Sequence, residues 1–200
     1  MLQVNNLSFD YADTPLLEGV SFVVPAGQLL YLQGENGSGK STLLKLLAGL
    51  LSPSAGDISF NDISVQDALK AYQQNICYIG HKTGISAALT IRQNVIFDPH
   101  YGRSEIHFSQ TIEALSLSGL EDVPCCQLSA GQRRRVALFR LLMTSAELWL
   151  LDEPFVALDG RAIDFLKTRI EAHLAQRGVI ILTSHQSLPF KQDAYLELSL

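Results

Sequence analysis

The chain has 200 residues, of which 47% are hydrophobic, so it can bury one sizeable core. Its formal net charge of −5 lacks the basic excess of a nucleic-acid-binding protein, and no apolar run approaches the roughly 20 residues that cross a bilayer. Residues 1–6 lack the regions of a signal peptide, and the three cysteines lack metal-ligand spacing, which predicts reduced thiols in a cytoplasmic protein.

Strand-forming segments fill the N-terminal part of the chain. Residues 4–9, 20–24 and 29–33 are predicted strands, and a fourth at 57–60 follows a Ser-Pro-Ser turn. Tyr11 follows the first of them. The strand over 29–33 is mostly apolar, which predicts that it is buried and leads directly into a glycine-rich loop.

That loop, GENGSGKST over residues 34–42, fits the phosphate-binding pattern G-x-x-x-x-G-K-[ST]. Its three glycines let the backbone turn tightly and aim N–H groups at phosphate oxygens. We predict that Lys40 reaches the β- and γ-phosphates of a nucleoside triphosphate and that the Ser41 hydroxyl holds Mg²⁺. The predicted nucleotide-binding residues of this loop are Gly34, Glu35, Asn36, Gly37, Ser38, Gly39, Lys40, Ser41 and Thr42.

The segment after the loop supports this interpretation. A helix is predicted over 40–50, with one apolar face made of Leu43, Leu44, Leu46, Leu47 and Leu50. Its positive N-terminal end would face the phosphates. A glycine-rich turn without a ligand is the alternative, and the predicted strand and helix on either side of the loop argue against it.

A strand at 76–80 precedes a helical region that runs from residue 81 to about 127. His81 is the first residue of that region. Within it, Thr90 and Gln93 have the spacing of a capping box, which predicts that a helix begins there.

A second candidate site begins with LSAGQ over residues 128–132. Ser129 and Gln132 have the spacing of another capping box, which predicts a helix over about 133–142 and leaves a purely structural role open. A capped helix N-terminus is also an anion site, so the structural and the functional interpretation are compatible. For the three arginines at 133–135, a solvated helix face with local ion pairs is favoured over contact with nucleic acid.

A hydrophobic strand at 148–152 ends in two carboxylates. We predict that Asp152 holds Mg²⁺, directly or through water, and that Glu153 polarises the water that attacks the nucleotide. A helix over 161–176 follows, and then a buried strand that ends at His185.

The order of these motifs resembles that of ATP-binding cassette (ABC) ATPases over residues 11–185, nearly the whole chain. LSAGQ is similar to the LSGGQ signature of that family, with alanine at one small position. Ser129, Gly131 and Gln132 are therefore predicted nucleotide contacts. Asp159 lies in a segment that is similar to the D-loop of the family and is a further predicted contact of the nucleotide.

Two more residues take predicted roles from the resemblance. His185 is similar to the switch histidine of the family, which contacts the γ-phosphate, so we predict that it is catalytic together with Glu153. Tyr11 has the position of the aromatic side chain that stacks on adenine. The alternatives are an ordinary histidine and a tyrosine that packs against the N-terminal strands.

The resemblance implies an α/β fold, with a P-loop NTPase (RecA-like) core, an N-terminal antiparallel β subdomain and an inserted small helical subdomain. We expect one domain over residues 1–200, with the core at about 1–80 and 128–200 and the helical subdomain at about 81–127. The alternation of strands and helices in the core predicts parallel strands with helices on both faces.

His81 departs from the general pattern of the family. Most of its transporters have a glutamine there that touches Mg²⁺, so His81 is a predicted metal ligand beside Ser41 and Asp152, because a neutral imidazole can bind a divalent metal. A solvated loop histidine is the alternative. Residues 78–94 are similar to the haem-exporter ATP-binding subunit of bacterial cytochrome c maturation; another small bacterial exporter or importer ATPase is the alternative.

The resemblance also implies the partners. Two copies of the chain would form a homodimer around two ATP molecules, each held between one P-loop and the signature of the other copy. Integral membrane transporter subunits would dock near residues 81–94, at the cytoplasmic face of the bacterial inner membrane. We expect no nucleic-acid partner and no direct haem binding, because the chain has no C-x-x-C-H motif and its five histidines are scattered.

Two other classes of protein are weighed against this interpretation. A soluble ABC ATPase of DNA repair, chromosome structure or translation would need long coiled coils or tandem cassettes, and the chain has neither. A P-loop kinase or a GTPase switch is disfavoured by the signature motif and by His185.

Overall fold

The structure, a computed structural model, describes residues 1–12, 14–98 and 108–200. In chain order the elements are β1 (Leu2–Tyr11), β2 (Thr14–Val24), β3 (Leu29–Gln33), α1 (Lys40–Leu47), β4 (Ala55–Phe60), β5 (Ile63–Ser64), α2 (Leu69–Gln74), β6 (Ile76–Ile79), α3 (Ile91–Ile96), α4 (Phe108–Ala114), α5 (Ala130–Ala137), α6 (Phe139–Met143), β7 (Leu148–Asp152), α7 (Gly160–Ala175), β8 (Val179–Thr183) and β9 (Leu196–Ser199). Short 3-10 helices lie at Cys125–Gln127 and Gln192–Ala194.

The larger sheet is parallel and has the strand order β6-β7-β8-β3-β9. Every residue of β7 and β8 is buried, as expected for strands that are covered on both faces. The carboxyl ends of β3, β7 and β8 lie at one edge of the sheet. The three segments that follow these strands are therefore brought together there. The predicted parallel core is confirmed.

The smaller sheet is antiparallel, with the order β2-β1-β4-β5, which confirms the predicted N-terminal β subdomain. Leu2 of β1 pairs with Val24 on one side and with Phe60 on the other. β2 begins at Thr14, although the sequence predicted a strand only from residue 20. Its first half contains proline and glycine, which have low strand propensity, and pairing with β1 overrides that propensity.

α1 leaves the glycine-rich loop as predicted but is shorter than predicted. The leucines of its apolar face are buried, namely Leu43, Leu44, Leu46 and Leu47. Gly49 has a left-handed backbone, with φ of 65°, and this conformation ends helices. Leu50 therefore leaves the apolar face and is 57% exposed, so its assignment to that face was wrong.

Both predicted capping boxes are present in the structure. In the first, the Thr90 hydroxyl accepts from the Gln93 backbone N–H at 3.1 Å, and the Gln93 side chain accepts from the Thr90 backbone N–H at 3.0 Å. The second box starts α5 directly after Ser129, three residues earlier than the predicted helix, because the capping residues lie within the first turn. Leu138 separates α5 from α6, which were predicted as one helix.

Two clusters of buried side chains cover the two faces of the parallel sheet. Because side chains alternate along a strand, Leu148 and Leu150 pack in the cluster with α1, while Trp149 and Leu151 pack in the cluster with α7. The second cluster also includes side chains of α3 and α4, so the helical region shares a core with the sheet. Its boundaries at 81 and 127 stay a prediction.

Among the described helices, none is long and apolar enough to cross a bilayer.

Candidate active site

The glycine-rich loop joins β3 to α1 and depends on glycine at two positions. Gly34 and Gly39 have φ of 146° and 100°, in the range that favours glycine. A Cβ on Gly34 would lie 2.5 Å from the Ser38 hydroxyl oxygen, and one on Gly39 would lie 2.7 Å from a methyl of Leu17. Any other residue at these two positions would be strained and would displace the atoms next to it.

The Lys40 ammonium is fixed over the loop at the start of α1. Nζ donates to the carbonyl oxygens of Gly34 and Glu35, both at 2.8 Å. Among the described residues, no side chain caps the N-terminus of α1, so its first N–H groups remain available to an anion. The buried Ser38 hydroxyl also has no partner within the described parts of the chain. The chemistry of these donors suits a phosphate group.

Asp152 connects this loop to the ends of β7 and β8. One carboxylate oxygen accepts from the Ser41 hydroxyl at 2.8 Å, and the other accepts from the Thr183 hydroxyl at 2.8 Å. Thr183 in turn accepts from the backbone N–H of Glu153 at 3.0 Å. The side chains that the sequence predicted as ligands of one metal ion, Ser41 and Asp152, are therefore in direct contact.

The donors at this point fit Mg²⁺. A hydroxyl and a carboxylate are hard oxygen ligands, and Mg²⁺ is bound in proteins through one or two carboxylates together with substrate phosphates and water. Groups of three or more His, Cys, Asp or Glu that could hold a metal by themselves are absent from the described residues. The geometry thus suits a metal that arrives with a nucleotide. His81 does not line the cleft that contains Ser41 and Asp152.

Glu153 and His185 face each other at the same edge of the sheet. His185 Nε2 lies 3.1 Å from Glu153 Oε1. Glu153 has a positive φ of 53°, which is uncommon for a residue with a side chain and marks a strained turn. The Tyr31 hydroxyl donates to the Ser184 carbonyl at 2.9 Å and so orients the backbone next to His185. A base and a second proton-carrying group are therefore within hydrogen-bonding distance of each other.

These groups line one cleft of about 440 Å³, a size that is typical of ligand pockets. Tyr11 and Leu16 of the small sheet form one wall. Tyr11 is 49% exposed, and its ring lies nearly perpendicular to that of Phe9 at a centroid distance of 4.9 Å. The other lining residues are Asn36, Gly37, Gly39, Lys40, Ser41, Thr42, Asp152, Glu153 and His185.

The signature residues do not line this cleft in the same chain. Ser129 caps α5: its hydroxyl accepts from the Gln132 backbone N–H at 3.2 Å, and its own backbone N–H donates to the Gln132 side chain at 2.7 Å. Gly131 lies against Ala157, where an added Cβ would be 3.3 Å from the carbonyl oxygen. Within one chain, the observed role of Ser129 and Gln132 is to cap the helix.

Asp159 also has structural partners within the chain. Its carboxylate caps α7 by accepting from the Ala162 backbone N–H at 2.9 Å, and it forms an ion pair with Arg135 at 3.1 Å. The D-loop is thereby attached to α5. Nucleotide contact by Asp159 stays a prediction.

Arg134 is a site residue that the sequence analysis missed. It is 7% exposed, and its guanidinium donates to the carbonyl oxygens of Gly80 at 2.7 Å, of Glu153 at 3.0 Å and of Asp152. Burial lowers the pKa of Arg134, and the carboxylates of Asp152 and Glu153 oppose this shift.

The interpretation of the arginine run as a solvated face was therefore wrong for Arg134. The expected local ion pair is found at Arg135, which binds Asp159. Helical spacing carried the missed signal, since Arg134 lies four residues before Leu138 and seven before Leu141, which are both buried.

A second cleft, of about 390 Å³, adjoins the first and shares Glu153 with it. His81 and Lys82 line one side, and Val156 and Ala157 line the other. His81 thus shares a cleft with Glu153 but lies in a different cleft from Ser41. Its assignment as a metal ligand stays a prediction.

Comparisons with known proteins agree with this geometry. The ABC transporter family profile matches residues 17–156. A Legionella pneumophila (strain Lens) protein named cytochrome c biogenesis ATP-binding export protein CcmA is 48% identical over 200 residues, which is all of both chains. The protein of that name from Escherichia coli (strain K12) is 41% identical over 203 residues, covering 100% of this chain and 96% of the relative.

Solved structures show the same fold. An ATP-binding subunit of an ABC transporter superposes with a TM-score of 0.79 at 30% identity, over 92% of this chain and 79% of the other. A dimeric ATP-binding cassette in a post-hydrolysis state with ADP and Pi superposes with a TM-score of 0.77 at 23% identity, over 93% and 88% of the two chains.

Proposed function

We propose, since the chain belongs to the ABC transporter family, that it is the ATP-hydrolysing subunit of a membrane complex that serves cytochrome c biogenesis. The hydrolytic part rests on one observation: the phosphate loop, Asp152, Glu153 and His185 meet in a single cleft. The biological part is supported by the 48% identity to a CcmA protein along the full length of both chains.

ATP would enter the cleft with its phosphates on the loop. The Lys40 ammonium and the N–H groups at the start of α1 would donate hydrogen bonds to the β- and γ-phosphate oxygens. Tyr11 would stack on the adenine ring. Ser41 and Asp152 would hold Mg²⁺, which neutralises charge on the phosphates when it is bound.

Hydrolysis would then use Glu153 and His185. The Glu153 carboxylate orients a water molecule and accepts its proton as the water oxygen bonds to the γ-phosphorus. The bond between the γ-phosphorus and the bridging oxygen breaks, and ADP and inorganic phosphate result. His185, released from Glu153, donates a hydrogen bond to the γ-phosphate and stabilises the charge that develops on it.

A homodimer would complete each site. The capped N-terminus of α5 lies outside the cleft of its own chain, so Ser129 and Gly131 are free to face the γ-phosphate bound by the other copy. The solved dimeric cassette supports a dimer for this fold.

Integral membrane subunits would dock on the segment at residues 81–94. Asn94 organises this segment, because its side-chain amide donates to the carbonyls of Ser86, Leu89 and Thr90 and accepts from the Ser86 backbone N–H. Phe97, at the end of α3, is 66% exposed and offers an apolar contact to a partner helix. Docking would hold the protein at the cytoplasmic face of the bacterial inner membrane.

The complex would drive haem export, or delivery of haem to a periplasmic chaperone, without haem binding to this chain. The test is complementation of an Escherichia coli strain that lacks CcmA. We expect wild-type protein to restore c-type cytochromes and Glu153→Gln protein to fail at equal abundance. Purified wild-type protein that hydrolyses ATP but restores no c-type cytochrome would refute the cytochrome c role and leave the ATPase assignment intact.

A further inference from the structure

Arg134 contacts the backbone of the turn at Asp152 and Glu153, and it does not line the cleft that contains the phosphate loop. Its three carbonyl partners are at the ends of two strands: Gly80 follows β6, Asp152 ends β7 and Glu153 follows it. Arg134 itself lies on α5, the helix that the signature begins. One planar guanidinium therefore connects the signature helix, the catalytic turn and the start of the segment at residues 81–94.

Stability alone does not account for this guanidinium. Removing a charge from water is costly, and an apolar side chain of similar volume often packs in such a position at no loss of stability. The hydrogen bonds to the carbonyl oxygens of Gly80, Asp152 and Glu153 offset part of that cost. The guanidinium contacts the Glu153 turn, which indicates that its role is to hold that turn.

The contacts act on both peptide groups of Glu153. The carbonyl of Asp152 precedes its Cα and the carbonyl of Glu153 follows it, and both accept from the same guanidinium nitrogen. The Glu153 backbone between them has the unfavourable left-handed φ of 53°. Holding both peptide planes fixes the direction of the Glu153 Cβ, and that direction leads the carboxylate to His185.

We propose that Arg134 is a positioning residue for ATP hydrolysis, which holds the strained Glu153 turn against Gly80 so that the carboxylate stays aimed at the attacking water. This inference rests on the proposed function. It also gives a route for control by a partner: a membrane subunit that displaces the segment beginning at His81 would pull on Gly80 and, through Arg134, on Glu153.

The first test is Arg134→Met, which keeps the length of the side chain and removes every donor. We expect the ATP dissociation constant to stay within about 2-fold of wild type, because no phosphate contact is lost, while kcat falls by roughly 30- to 100-fold. Single-turnover hydrolysis and equilibrium ATP binding measure these effects.

Arg140→Met is the matched control. Arg140 lies on α6, donates to the Gly84 carbonyl at 2.7 Å and forms an ion pair with Asp98 at 3.1 Å. The substitution removes the hydrogen bond to Gly84 and the ion pair with Asp98, but no contact with the Glu153 turn. We expect lower stability and a kcat within about 3-fold of wild type.

Unchanged kcat in folded Arg134→Met protein would overturn the proposal, and so would equal losses in Arg134→Met and Arg140→Met. If Arg134→Met does not fold, Arg134→Lys decides: one ammonium cannot span three carbonyls as the guanidinium does, so kcat should fall about 3- to 10-fold at unchanged ATP affinity. A wild-type kcat for the lysine variant would refute the role. Wild-type protein without ATPase activity would refute the proposed function and this inference together.

Discussion

In the proposed function, single residues of the cleft divide into those that hold the nucleotide and those that act on it. Lys40 is held by backbone carbonyls of its own loop, whereas Glu153 is held at a strained turn by contacts from three other segments. The two residues line the same cleft, so removing either should abolish turnover, but at different steps.

Lys40→Ala and Glu153→Gln separate binding from hydrolysis. The first variant loses the charge that faces the phosphates, and we expect ATP affinity to fall by at least about 100-fold. The second keeps every phosphate contact, so it should bind ATP normally, hydrolyse it about 10²- to 10⁴-fold more slowly, and accumulate as an ATP-bound dimer. Nucleotide titration, phosphate release and size-exclusion chromatography measure the three quantities. Hydrolysis at the wild-type rate by Glu153→Gln protein would show that another group is the base.

Substitutions of His81 test whether the adjoining cleft contributes to turnover. His81 shares that cleft with Glu153, so His81→Ala should bind ATP nearly normally yet lose about 10-fold or more in partner-stimulated ATPase activity and in cytochrome c yield. His81→Gln, the residue typical of the wider family, should recover part of both. The idea that His81 is only a solvated loop residue would gain support if His81→Ala matched wild type in both assays.

At the scale of elements, the two capping boxes have the same chemistry but different surroundings. Thr90 with Gln93 starts α3 in the helical region, and Ser129 with Gln132 starts α5 at the signature. In both, a hydroxyl oxygen accepts a hydrogen bond from a backbone N–H in the first turn of the helix. We therefore expect that removing either cap lowers stability by a similar amount, and that only removal of the second cap lowers turnover.

Ser129→Arg tests whether α5 serves the nucleotide of the other copy. Monomer affinity for ATP should remain, because Ser129 is outside the cleft of its own chain, while dimer-dependent turnover should fall about 100-fold or more. Mixing this variant with Lys40→Ala protein forms heterodimers with one intact site, which should recover part of the activity. Loss of monomer ATP affinity in a folded Ser129→Arg protein would contradict the shared site.

Thr90→Ala is the matched control for the lost cap. It should lower the free energy of unfolding by about 1 kcal/mol and leave kcat within about 2-fold of wild type. Thr90→Ser keeps a hydroxyl and should lose less stability than Thr90→Ala. Urea unfolding gives the free energies, and a large fall in the kcat of Thr90→Ala would show that capping by itself affects turnover.

At the scale of the whole molecule, a half-buried histidine makes stability depend on pH. His173 of α7 stacks on Trp149 at a centroid distance of 3.9 Å, and burial lowers its pKa to about 4 from an ordinary 6.5. The unfolded chain therefore binds more protons than the folded chain between these values. Stability that is fully present above about pH 6.5 is lost as the pH falls towards 4.

His173→Phe should remove this dependence, because phenylalanine can stack on Trp149 without titrating. Between about pH 7.5 and pH 5, the free energy of unfolding should fall by about 1–2 kcal/mol more in wild type than in the variant. This figure allows for the solvent that still reaches the ring. Urea unfolding at the two pH values measures the difference. Equal losses in both proteins would show that His173 is not responsible.

Most local features of the site were predictable, because nearby residues decide them. The turn of the phosphate loop follows from glycines that adopt left-handed backbone, and the starts of α3 and α5 follow from side chains three residues apart. The buried strand β7, with its carboxylates at the end, follows from an uninterrupted apolar run. The end of α1 before Leu50 was missed, although Gly49 carried a local signal for it.

By itself, the sequence determined the phosphate loop, the capped signature helix, the strand with the carboxylates and the family to which they belong, since each depends on residues that are adjacent along the chain. Only the tertiary structure decided that Ser41 meets Asp152 across 111 residues and that Arg134 meets Gly80 across 54. Those contacts depend on the order β6-β7-β8-β3 in the sheet, which places distant strand ends side by side. Chain-local preferences do not specify that order, because it results from burying both faces of the sheet at once.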